Sequence, residues 1–89
     1  KSYKKWDVAL NKAYKALMKR LPEQDKLLLR ESQRKWISYR DSEFVFMQKH
    51  IRREGGTLSL IIVDERMANF VRRRVIALEA YNFILDFPP

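Results

Sequence analysis

Only two features interrupt the helical period of this chain, Pro22 and the Gly55–Gly56 pair. Around them apolar residues recur at intervals of three and four, the spacing that lines one side of an α-helix. In the first stretch Trp6, Leu10, Tyr14, Leu17 and Leu21 share a narrow arc, nearly opposite Lys1, Lys4, Lys5, Lys12, Lys15 and Lys19. That pattern predicts an amphipathic helix over about residues 3–20.

Proline has no N–H to donate and suits the first position of a helix. Pro22 therefore ends the first helix and opens a second, whose first turn carries Glu23 and Asp25 where the helix dipole favours negative charge. The second helix is expected over about residues 22–53, with an apolar arc of Leu28, Leu29, Trp36, Ile37, Tyr39, Phe44, Met47 and Ile51. Arg52 and Arg53 suit its C-terminal end, and Gly55–Gly56 can supply a left-handed cap. Thr57 or Ser59 can cap a third helix over about residues 58–86, closed by Pro88–Pro89. Its arc holds Leu60, Val63, Met67, Phe70, Val71, Val75, Leu78, Tyr81 and Leu85. Short connections make successive helices antiparallel. The expected fold is all-α: an antiparallel three-helix bundle, one domain over residues 1–89, whose short first helix covers part of a long helix 2–helix 3 hairpin.

A chain of 89 residues buries a modest core, and with no cysteine it has no disulfide to reinforce it. Packing must suffice, and Trp6, Trp36, four tyrosines and five phenylalanines supply material for it. No run of eighteen apolar residues is present, so no membrane-spanning helix is expected. The opening KSYKKWD leads into an amphipathic stretch rather than an apolar one and does not read as a signal peptide.

The net charge of +8 is unevenly spread: residues 1–21 carry +6, residues 22–54 carry +2, and residues 55–89 are neutral. The lysine face of the first helix, with Lys5, Lys12, Lys15 and Lys19, is the strongest interaction surface legible in the pattern. Such a face meets phosphates or another anionic polymer in a salt-dependent way. Aromatic residues do not interleave with these lysines, and no helix-turn-helix or zinc pattern accompanies them.

Polar residues break the apolar arcs at a few places. Arg74 falls in the arc of the third helix, Gln33 and Arg40 fall in that of the second, and Glu43 lies at its margin. A buried guanidinium needs a partner, and Glu43, Asp41 and Asp7 are the candidates. The pattern reads as an internal network that fixes helix register; the alternative is a partly buried site for a ligand carboxylate or phosphate. His50 is the only histidine, so no metal set forms around it. Asp64–Glu65 and the Asp41/Glu43 pair carry no acid–base signature, and no nucleophile stands at a recognisable spacing. The sequence thus points to a binding domain without catalytic residues, metal or cofactor.

Several of these residues also form a family pattern. Leu10–Asn11 with Tyr14, then Gln33, Arg34, Trp36, Tyr39, Arg40 and Asp41, then Gly55–Gly56, then Arg74 and Leu78 resemble the DUF1311 family, the domain of LprI-type lysozyme inhibitors. The Gln-Arg-x-Trp-x-x-Tyr-Arg-Asp block is the specific part, and the likeness spans roughly residues 6–81. Members usually carry two cysteines that look like a disulfide pair, at positions falling here at about Phe44 and Arg66. The resemblance implies an exported bacterial protein, periplasmic or secreted, that binds a protein partner such as a lysozyme. Asp7, Asn11, Gln33, Arg40, Asp41, Glu43 and Arg74 would then be its structural polar residues.

A common lysozyme is itself strongly basic and repels a +8 chain during encounter. An inhibitor of this charge needs an acidic patch or an inserting loop, and Glu54 with Gly55 and Gly56 is the candidate turn. Two other functions fit the sequence: an anion-binding module that uses the lysine face on nucleic acid or an envelope polymer, and a purely structural domain of a larger chain. The apolar arcs of helices 2 and 3 outrun helix 1, which suits a monomer or a weak homodimer.

Overall fold

The computed structural model describes residues 3–51 and 56–89. It contains α1 (Tyr3–Arg20), α2 (Glu23–Phe46), a π-helical segment (Met47–Ile51) and α3 (Thr57–Ile84), with no strand among the described residues. The three helices form an elongated all-α bundle, 53 × 19 × 19 Å. Arg20 at the end of α1 reaches Asn82 and Asp86 at the end of α3, so α1 and α3 run parallel and α2 runs antiparallel to both. With 18 residues against 28, α1 spans about 27 Å beside the 42 Å of α3. It leaves the end of the hairpin beyond Phe44 uncovered.

The closest approach is between α1 and α3, while α2 stands further off. Residue size explains this. The residues withdrawn from solvent include Ala9 and Ala13 on α1 and Ala68 and Ala77 on α3, whereas α2 has no alanine or glycine at all. Leu10, Ala13 and Leu17 of α1 pack with Val71, Val75 and Leu78 of α3 to make the core, which α2 joins through Leu29. Large side chains fill the remaining gap to α2: Phe70 lies 5.8 Å from Trp36, 5.3 Å from Tyr39 and 5.9 Å from Phe44, ring centre to ring centre. Phe44 also meets Tyr3 edge-on at 5.2 Å.

Four local expectations change. Pro22 is the residue before α2 rather than its first, with extended backbone; its carbonyl accepts from the Lys26 N–H at 2.9 Å. The α-helical part of α2 ends at Phe46 instead of about residue 53. The wider π-helical turns that follow bring Gln48 against α3, where its amide donates to the Met67 sulfur at 3.9 Å. Gly56 is extended, with φ −97° and ψ 104°, so it precedes α3 as an N-cap and does not provide a left-handed cap. Thr57 and Ser59 consequently lie inside α3, and the Ser59 hydroxyl donates back to the Gly56 carbonyl at 2.9 Å. Arg52–Gly55 lie outside the described residues.

The inward stripe of α2 also differs from the expected apolar arc. The side chains withdrawn from solvent are Lys26, Leu29, Gln33, Trp36, Arg40, Glu43, Phe44 and Met47, while Leu28 is 69% exposed. The stripe follows helical spacing, but half of it is polar, which pulls a purely hydropathic reading toward Leu28 and Ile37.

Candidate functional site

Helical spacing puts Gln33, Trp36 and Arg40 on one face of α2, at i, i+3 and i+7. This face meets Asp7 of α1 and Arg74 of α3. The Arg40 Nη1 donates to Asp7 Oδ1 at 3.4 Å, while its Nε and Nη2 donate to Asp41 Oδ1 at 3.2 and 3.1 Å. The Arg74 Nε donates to Gln33 Oε1 at 2.9 Å, and its Nη2 donates to Ser32 Oγ at 3.2 Å. The two guanidinium carbons lie 5.6 Å (Arg40) and 5.9 Å (Arg74) from the centre of the Trp36 ring, within cation–π range. Gln33 is the one buried polar side chain among the described residues, and its carbonyl oxygen is satisfied by Arg74.

This arrangement joins all three helices through one tryptophan. Burial lowers the pKa of Arg74, against a smaller opposing influence from Tyr81, yet an arginine starts so far above neutrality that it stays charged. The positive charge is therefore retained beside the Trp36 ring. Its direct partners are the neutral Gln33 and Ser32 rather than Asp7, Asp41 or Glu43. Asp7 is taken by Arg40, further along α2. Asn11 is exposed on α1, and Glu43 is half-buried beside α3, outside these hydrogen bonds.

A second clamp was not legible in the sequence. Arg20 donates to the Asn82 carbonyl at 3.0 Å and to Asn82 Oδ1 at 2.6 Å, and pairs with Asp86 at 2.8 Å. It ties the C-terminal ends of α1 and α3 together. Nothing in the local pattern sets Arg20 apart from the neighbouring basic residues; only the parallel placement of α1 and α3 reveals its role.

Lys4, Lys5, Lys12, Lys15 and Lys19 are all exposed on α1. Among the described residues none of them forms an ion pair, although Lys5 and Arg72 lie 5.9 and 6.0 Å from the centre of the Trp6 ring. Lys1, Glu54 and Gly55 lie outside the described residues. Phe44, where the family resemblance expects a cysteine, is packed between Tyr3 and Phe70, so ring contacts occupy that position. Arg66, near the other expected cysteine, is exposed on α3.

No group of three or more potential metal ligands forms among the described residues, and no described helix is long and apolar enough to cross a membrane. No curated protein and no solved structure matches the chain. The family model of the lysozyme inhibitor LprI does match it, over residues 1–78, a span that takes in Asp7, the Gln33–Asp41 block, Arg74 and Leu78. The chain that builds this three-helix clamp belongs to the LprI lysozyme-inhibitor family.

Proposed function

We propose that the chain is a non-enzymatic, exported binding domain that inhibits a lysozyme by occluding its substrate cleft, without covalent chemistry. The observation that carries this reading is the family match over residues 1–78. Two features support it. The motif residues Gln33, Trp36, Arg40 and Arg74 are engaged between helices, so contact with a partner falls to other surfaces. In sequence, Glu54, Gly55 and Gly56 fall between the π-helical segment and α3, with Glu54 and Gly55 outside the described residues, and this stretch is the proposed inserting element.

The test is a lysozyme activity assay with micromolar domain at low and at moderate salt. Encounter between two basic proteins is opposed by repulsion, and salt screens it over a Debye length of about 10 Å at 0.1 M. Inhibition of a basic lysozyme is expected to hold or strengthen from low to moderate salt. No inhibition in either condition rejects this reading for that enzyme.

The lysines of α1, exposed and in no ion pair among the described residues, favour a second reading, binding of nucleic acid or an anionic envelope polymer. It has the opposite salt response, since each phosphate neutralised contributes about −0.7 to −0.9 to the slope of log affinity against log salt. Replacing Lys5, Lys12 and Lys19 with glutamate is expected to weaken polymer binding by tenfold or more, to order of magnitude. Unchanged binding in a filter or anisotropy titration removes the lysine face as the site.

A further inference from the structure

Between α2 and α3, on the face lined by Tyr39 and Arg73, lies a cleft of about 480 Å³, within the size range of small-molecule sites. One wall is Tyr39 and Glu43, spaced by four on α2, followed by Met47 just past its end. The other carries Arg66 and Arg73, two turns apart on α3, with Phe70 between them. Val63 is buried and forms part of the apolar floor, and Phe70 is half-buried. Met47 opens the π-helical segment, a kind of helix irregularity found frequently at functional sites. Its unbranched thioether adapts to differing apolar shapes.

Among the described residues no ion pair engages Arg66, Arg73 or Glu43, and both arginines are exposed. Two guanidinium groups against one carboxylate leave a net positive rim over an apolar floor. Arginine offers a carboxylate or phosphate two parallel N–H donors, so its geometry favours an acidic group over a neutral one. Glu43, on the facing wall, disfavours a second negative charge.

We propose that this cleft binds an amphipathic monoanion: a small molecule with one acidic group held by Arg66 and Arg73 and a short aliphatic or aromatic body laid on Phe70, Val63 and Met47. The site is separate from the α1 lysine face and does not depend on the identity of the inhibited enzyme.

The probe is octanoate, titrated into the isotope-labelled domain while amide shifts are followed by NMR, with octanol as its neutral counterpart. Saturable shifts are expected at Glu43, Asn69 and Phe70, with octanol at least about tenfold weaker because it lacks the charge-assisted hydrogen bonds. The double variant Arg66→Ala/Arg73→Ala should lose affinity by about tenfold or more. Glu43→Gln should bind octanoate as tightly as the parent or more tightly. Lys12→Glu/Lys15→Glu should change affinity by no more than about twofold, since exposed distant charges are screened. Equal affinity for octanol, shifts centred on α1, non-saturating shifts, or an equal loss in the lysine variant would each overturn the proposal.

Discussion

Replacing Leu78 with alanine should lower the unfolding free energy by about 3 kcal/mol, the middle of the range for truncating a buried leucine. Leu78 is fully buried, packed in the core cluster with Leu10, Leu17, Val71 and Val75, where α1 and α3 approach most closely. A helix pair held near by alanines cannot easily collapse into the space left behind, so the cavity cost adds to the lost transfer energy. The total stability of a domain this size is on the order of 5–13 kcal/mol, so the loss is a large fraction of it. It corresponds to a fall in melting temperature of roughly 12–24 °C. Ile76, only two residues away but 46% exposed, is the control; Ile76→Ala should cost far less, about 0.5 kcal/mol. Urea unfolding of both variants, with unchanged slope and a far larger midpoint shift for Leu78→Ala than for Ile76→Ala, checks the prediction. Equal shifts would place the core elsewhere.

Arg74→Ala should cost about 2 kcal/mol although it removes a charge from a partly desolvated position. Two opposing effects set the sign. Burial disfavours the guanidinium, as its lowered pKa indicates, so deletion relieves that penalty. Against this, deletion leaves the carbonyl of the buried Gln33 without its donor, a loss of roughly 1–3 kcal/mol. It also removes a cation from the Trp36 ring, worth about 0.5–2 kcal/mol depending on desolvation. The orphaned amide and the ring contact together outweigh the relief. Arg74→Lys should recover only part of the loss, because an ammonium is a point charge without the planar fork that meets Gln33 and Ser32 together. Thermal and urea unfolding read both variants.

Much of this fold is legible in residue spacing. The arcs of α1 and α3 identify Leu10, Leu17, Val63, Met67, Val71, Val75 and Leu78, all buried. At the ends of α3 the same period selects Leu60, Tyr81 and Leu85, which stay 43%, 48% and 42% exposed; Leu60 lies in the part of the hairpin that α1 does not reach. Period reports which residues share a face, but the length of the neighbouring helix decides which of them are covered. In α2 the period is correct and the hydropathy misleads, since Gln33 and Arg40 occupy inward positions that apolar weighting discounts.

Arg40 meets Asp7 and Asp41, two of the three acids expected as partners, whereas for Arg74 the clamp was legible as a need and not as a pairing. Arg74 on an apolar face requires a partner, but sequence favours acids, and the partner in space is the amide of Gln33. Which side chain lies opposite depends on the relative height of α2 and α3, a property of tertiary packing. The Arg20–Asn82–Asp86 clamp and the Arg66–Arg73 cleft have the same origin: their members are separated by tens of residues or by two helical turns and have no local signature.

We infer that the family motif holds the three helices in register and leaves other surfaces for binding. A double-mutant cycle on Gln33→Leu and Arg74→Met measures it most directly. These replacements keep side-chain volume while removing the hydrogen bond that links α2 to α3. The expected coupling energy is about 1–2 kcal/mol, with the double variant more stable than the sum of the single losses implies. Strictly additive single effects would show that Gln33 and Arg74 do not stabilise each other and would contradict the structural role assigned to the motif.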